Sequence, residues 1–329
     1  MKFCLLIAQP NQPEDEKVYT VEQNHVNCWA SFLGGRVYNL PPVGEESGDP
    51  DYDFFDQFDL VMIALRQEAI EVGIEIKQKT KAKVVAFLDA EVDHYTTYIT
   101  RDIQARLVEL LNIVDAVAVL HDESIPLFKA LTSKPVGLVG VPFPLQKVRE
   151  LCPPVQKRQE IELGSIIEAS ALRNRDGLVN LVALSEIGMT CVVDMRNPAE
   201  MDYLWSIRTY LKLPQIKFRD NNPDWEHYLT QASYSLLGLH LDYRYTWGSF
   251  PLECAAVRMP CVAPSCLYTQ KHLFPELCVP YNDIPGVVAL VKKLVNDVKF
   301  YEQALAYAEE QLDFFSGEKT FHRLLNLIS

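Results

Sequence analysis

Three groups of residues in this chain combine side-chain types and spacings that can do chemistry. The first is Leu88-Asp89-Ala90-Glu91-Val92-Asp93-His94, which follows the apolar run Lys83 to Leu88. A carboxylate at the end of such a run can take a proton from a hydroxyl as a general base, and so can an imidazole. Asp89 leads this group and His94 is the runner-up; a plain turn or cap carboxylate is the alternative for Asp89. The second group, Ser170-Ala171-Leu172-Arg173-Asn174-Arg175, lies between the run Ser165 to Ala169 and a helical pattern. Guanidinium groups beside a helix start suit a diphosphate, so Ser170, Arg173 and Arg175 are candidate phosphate ligands, against a reading as solvated loop residues. The third is Gly248-Ser249-Phe250-Pro251-Leu252-Glu253, after the apolar run Ser235 to His240. Gly248 and Ser249 offer a turn and a cap, and Pro251 belongs in a helix's first turn. Backbone N–H groups at such a helix start favour an anion. Glu253 is placed in that first turn, where the macrodipole also stabilises it without any ligand. His240 and Asp242 suggest a metal, but no third ligand is spaced to join them, and no metal is expected.

The elements that position these groups alternate between strand and helix. Phe3 to Ala8, Arg36 to Leu40, Phe58 to Leu65, Lys83 to Leu88, Ala116 to Leu120 and Val136 to Val141 read as buried parallel strands, with helices across Val18 to Leu33, Ile103 to Ile113 and Ile125 to Leu131. Prolines and charges over 146–160 mark a linker. A second alternating set follows: strands at Ser165 to Ala169, Cys191 to Asp194, Gln215 to Phe218 and Ser235 to His240, with helices between them. The expected organisation is α/β throughout: a Rossmann-like domain over 1–145, a linker over 146–160, a second Rossmann-like domain over 161–315, and a helix over 316–329 that packs back on the first domain.

Composition narrows the function classes. A net charge of -13 repels nucleic acid and anionic membranes, leaving nucleic acid only a local patch to bind. No apolar run approaches the roughly 20 residues of a membrane span, and Met1 to Ala8 reads as a first strand and not as a signal sequence. The eight cysteines never form Cys-x-x-Cys, as expected of reduced, buried thiols in a cytoplasmic protein. No Gly-x-Gly-x-x-Gly follows a strand, which speaks against a Rossmann dehydrogenase.

The order Gly248, Leu252-Glu253-Cys254-Ala255-Ala256, Arg258, Pro260-Cys261-Val262-Ala263 resembles the donor-site signature of GT-B glycosyltransferases. That resemblance implies a GT-B fold, with two Rossmann-like domains facing a cleft. It implies that Glu253 holds ribose hydroxyls of a nucleotide diphosphate sugar, with the Gly248-Ser249 loop near the diphosphate and Ser170, Arg173 and Arg175 at the other phosphate-binding turn. The donor is a small-molecule substrate, a UDP-sugar first among the choices, and no permanently bound cofactor is implied. The signature's first glutamate, eight positions before Glu253, is Tyr245 here. The turn at Ser170 and the aspartate after Lys83 to Leu88 are similar to features of phage DNA β-glucosyltransferases, which implies inversion with Asp89 as base and puts a DNA-base acceptor among the alternatives. A non-catalytic sugar-nucleotide binder or assembly protein is another. Tyr268-Thr269-Gln270-Lys271-His272 resembles a loop that lines the donor pocket in the phage enzymes; an exposed turn is its alternative. The acceptor is unspecified.

Overall fold

A computed structural model of the 329-residue chain describes residues 1–8, 28–40, 52–89, 95, 100–164, 174–195, 205–206, 208–210, 212–213, 215–220 and 224–329, with only the backbone of 174–178, 181, 194, 195 and 220. The chain divides into two compact units, Met1–Pro144 with Phe315–Ser329, and Leu145–Phe314.

Unit 1 runs β1 (Phe3–Ala8), α1 (Cys28–Leu33), β2 (Arg36–Leu40), α2 (Tyr52–Asp56), β3 (Leu60–Ala64), α3 (Gln67–Lys79), β4 (Lys83–Leu88), α4 (Arg101–Ile113), β5 (Ala116–Val119), α5 (Ile125–Leu131) and β6 (Val136–Leu138). Its six strands are all parallel, in the order β2-β1-β3-β4-β5-β6. Every residue of β3 and β5 is buried, as expected of strands covered on both faces. The sequence gives little sign of α3, whose Gly73 interrupts the helical pattern. A Cβ there would come within 2.7 Å of the Ile63 side chain, so the glycine lets helix and sheet approach closely.

Unit 2 runs α6 (Leu145–Leu151), β7 (Arg158–Leu163), α7 (Asn174–Ile187), β8 (Thr190–Met195), β9 (Ile216–Asp220), α8 (Trp225–Ala232), β10 (Ser235–Leu239), α9 (Ser249–Ala256), β11 (Cys261–Val262), α10 (Tyr268–Leu273), α11 (Ile284–Asn296) and α12 (Val298–Gln311). Its five strands are parallel in the order β11-β10-β7-β8-β9. The 146–160 segment, expected to be a linker, instead holds most of α6 and the first residues of β7. β7 is the central strand, and the strand expected at Ser165 to Ala169 lies outside the described residues. β7 reads Arg-Gln-Glu-Ile-Glu-Leu, so no apolar run announces it. Its charges find partners across the sheet: Lys217 Nζ on β9 reaches Glu160 at 2.5 Å, and Arg219 binds the fully buried Glu162, which also accepts from Ser235 Oγ at 2.9 Å.

The closing helix α13 (Gly317–Ile328) belongs to unit 1. Its amphipathic pattern has a plain cause in packing: Arg323 Nε donates to Val139 O at 2.9 Å, and the Phe321 ring meets that of Phe32 at 6.4 Å.

Candidate functional site

Open parallel sheets bind ligands at the carboxyl ends of their strands, where the strand order reverses. In unit 2 that point lies between β7 and β10, since β8 and β9 extend the sheet on one side and β11 on the other. The third sequence group sits on the loop and helix that follow β10.

Gly248 caps α9 with φ 74° and ψ 78°, the left-handed region, and no side chain caps that helix start. A Cβ at Gly248 would fall 2.9 Å from the Leu267 Cβ, so both conformation and space require glycine. Neighbouring backbone holds the loop: Tyr268 N donates to Thr246 O and Thr269 N to Trp247 O, each at 3.0 Å, and Thr269 Oγ1 donates to Gly248 O. The indole of Trp247 stacks on the Tyr268 ring at 5.4 Å. Thr269 and Gln270 are completely buried, so they brace this loop and do not form an exposed turn. Tyr245, the residue in place of the signature's first glutamate, is half exposed.

Because Gly248 is the cap, α9 starts at Ser249 and Glu253 is its fifth residue. It therefore lies beyond the first turn where the sequence placed it, and the macrodipole alone does not account for it. Its partner is one the sequence did not suggest: Trp225 Nε1 donates to Glu253 Oε1 at 2.8 Å. Trp225 is the first residue of α8, after the cap Asp224, whose side chain accepts from His227 N at 2.7 Å.

The switch point itself holds a polar cluster. His240 follows β10 and packs its ring on Phe250 at 5.4 Å. A Cβ at Gly164, just after β7, would lie 2.0 Å from His240 Nδ1, so glycine there makes room for the ring. Asp242 takes Arg244 Nε at 2.8 Å and the Arg244 amide at 2.9 Å, with His240 Nε2 at 3.9 Å from its other oxygen. Burial pushes the Asp242 carboxyl up, but the Arg244 side chain, the His240 ring and the Arg244 amide together leave it below its ordinary value. This ion pair accounts for the histidine and aspartate that suggested a metal. Asn180 on α7 clamps the next residue, donating to Leu241 O at 3.3 Å and accepting from Leu241 N at 3.0 Å.

In unit 1, Asp89 directly follows β4 and is 8% exposed. Arg66, the residue before α3, binds its Oδ1 through Nη1. The sequence had no sign of this pairing, since the two residues meet only when β3 and β4 lie side by side. At the end of β5, His121, Asp122 and Glu123 place possible metal-ligand atoms within 4.8 Å of one another. A local turn explains that grouping, because His121 Nδ1 accepts from Glu123 N at 3.1 Å. His94, Asp93, Ser170 and Arg173 lie outside the described residues. Arg175 lies in the first turn of α7, where the backbone alone is described.

Two parallel Rossmann-like sheets with their helices define an α/β chain of GT-B fold. No family model matches the sequence, and no curated protein matches it. Solved structures match it along almost the whole chain. One is a sucrose-phosphate synthase from Thermosynechococcus elongatus, with 14% identity, TM-score 0.73 and coverage of 99% of this chain and 98% of that one. Another is the Anabaena protein HepE in complex with UDP-glucose, with 13% identity, TM-score 0.69 and coverage of 99% and 100%. A trehalose-6-phosphate structure from E. coli bound with UDP-2-fluoro glucose matches at 11% identity and TM-score 0.70, covering 99% of both chains. At such identities the likeness establishes the fold. No helix among the described residues is long and apolar enough to cross a membrane.

Proposed function

We propose that this chain is a glycosyltransferase that moves a sugar from a nucleotide diphosphate sugar, a UDP-sugar first among them, to an acceptor hydroxyl. Glu253 accepts the ribose hydroxyls, the Gly248-Ser249 turn faces the diphosphate, and Ser170, Arg173 and Arg175 supply the remaining phosphate contacts. Asp89 takes the acceptor's proton, with His94 next in line, and a single displacement inverts the anomeric centre. The observation that carries this reading is Glu253, which is set one turn into the helix that follows a left-handed glycine, at the switch point of a GT-B sheet. The UDP, UDP-glucose and UDP-2-fluoro glucose in the matching structures support a uridine donor.

A thermal-shift panel of nucleotide diphosphates and their sugars tests the donor. UDP at 100 times its dissociation constant should add about 2.7 kcal/mol of stability. In calorimetry, Glu253→Ala should weaken UDP by about 1.5–3 kcal/mol, the worth of hydrogen bonds to a charged group. If no nucleotide diphosphate stabilises the protein, the reading fails. NMR of the product anomer tests the stereochemistry, and a retained configuration removes inversion.

A second reading is a non-catalytic sugar-nucleotide binder. It is favoured by Arg66, which occupies one oxygen of Asp89, and by Tyr245 in place of the glutamate. Tight UDP binding without UDP release from any donor would select it.

A further inference from the structure

We infer that Trp225 is a positioning residue that fixes the Glu253 carboxylate for the ribose diol, so that the pair makes the site favour ribonucleotides over deoxyribonucleotides. This rests on the donor reading above and adds a residue to it.

One partner stands at the start of a helix and the other one turn into a second helix. Trp225 opens α8, and Glu253 leans toward the start of α9 because helical side chains tilt toward the N-terminus. Left alone, a glutamate samples many rotamers, and ordering it on binding costs free energy. An indole is stiff, and its N–H at 2.8 Å from Oε1 settles the carboxylate's direction before a ligand arrives. The donor's chemistry matters as well. An indole N–H is neutral and donor-only, so it orients the carboxylate without cancelling its charge. An arginine in its place would compete with a ligand as a counter-ion. The pair thus presents an aimed, acceptor-only group, which suits a neutral partner with two adjacent hydroxyl donors. A nucleotide lacking those hydroxyls would desolvate the carboxylate and give nothing back, the situation in which polar sites discriminate most strongly.

Calorimetry with UDP and 2',3'-dideoxy-UDP on the intact protein and on Trp225→Phe tests this. The intact protein should prefer UDP by about tenfold or more, the worth of a hydrogen bond to a charged group. Trp225→Phe keeps a ring and removes the N–H. It should lose about tenfold in UDP affinity, while dideoxy-UDP changes by less than about twofold. Equal losses for both nucleotides would make Trp225 a packing or stacking residue and overturn the inference, and so would unchanged UDP affinity. If the intact protein binds neither nucleotide, the donor reading itself falls and takes this inference with it. Should Trp225→Phe fail to fold, the indole N–H signals supply an independent measurement. The chain has four tryptophans, and Glu253→Gln should shift one of their four indole resonances, as should UDP. No shift in either case overturns the pairing.

Discussion

Two carboxylates stand near the carboxyl ends of the two sheets, and they are held in opposite ways. Asp89 in unit 1 is bound by a guanidinium, and Glu253 in unit 2 by an indole. The cation balances the charge of Asp89 and locks the group into the loop after β4. The indole aims Glu253 through a neutral N–H. The same functional group is thus prepared for different work. A guanidinium favours the ionised form of its carboxylate and keeps it in register, whereas a neutral donor orients a carboxylate to accept hydrogen bonds from a ligand. The donors differ in kind, a guanidinium on the proposed base and an indole on the proposed binder.

The sharpest way to break this comparison is to neutralise Asp89 while keeping its shape. Asp89→Asn should lower turnover by about 10²–10⁴ and leave UDP affinity nearly intact. A fully active Asp89→Asn enzyme would pass the base role to His94 or Asp93. The next largest effect uses Glu162 as a third carboxylate, which has an arginine partner but no exposure. Arg219→Ala strands that buried charge and should cost about 3–5 kcal/mol of stability in urea titration, far more than an exposed pair is worth. A loss below about 1 kcal/mol would mean that the partner cation does little to hold such groups.

The smallest effect concerns the reverse case, a half-buried cation that donates to backbone carbonyls. Lys157 Nζ donates to Ser233 O at 2.6 Å and to Val257 O at 3.0 Å. Burial lowers its pKa from 10.5 to about 8. Below about pH 8 both folded and unfolded chains carry the proton, and the full cost of burying it weighs on the fold. Between that pH and 10.5 the folded chain sheds the proton first, so this group's contribution to stability rises with pH and then levels off. The stability of the intact protein relative to Lys157→Met, followed by denaturant titration from pH 7 to pH 10, should therefore move in favour of the intact protein. A flat difference would show that the two carbonyls offset the burial.

Legibility in the sequence followed the physics of each element. Phe3–Ala8 and Lys83–Leu88 were readable as strands because they are buried on both faces and accordingly apolar. β7 was not, because Glu160 and Glu162 become acceptable in a sheet only when Lys217 and Arg219 arrive from a strand that is not its neighbour. The turn at Gly248 was readable from its residue types. The depth of Glu253 in the helix was not, since it depends on where the left-handed glycine starts the helix. Trp225 and Arg66 left no local trace, because each meets its carboxylate only after separate elements come together.

Lys157 has a mechanical consequence as well. Ser233 and Val257 are the residues that end α8 and α9, so one ammonium ties the far ends of both helices. Trp225, at the near end of α8, binds Glu253 one turn into α9. The two helices are thereby braced at two levels, like a ladder with two rungs, and neither can slide or pivot without straining a rung. Their amides should exchange with solvent as one cooperative block, and cutting the Lys157 rung should loosen the carboxylate about one turn away.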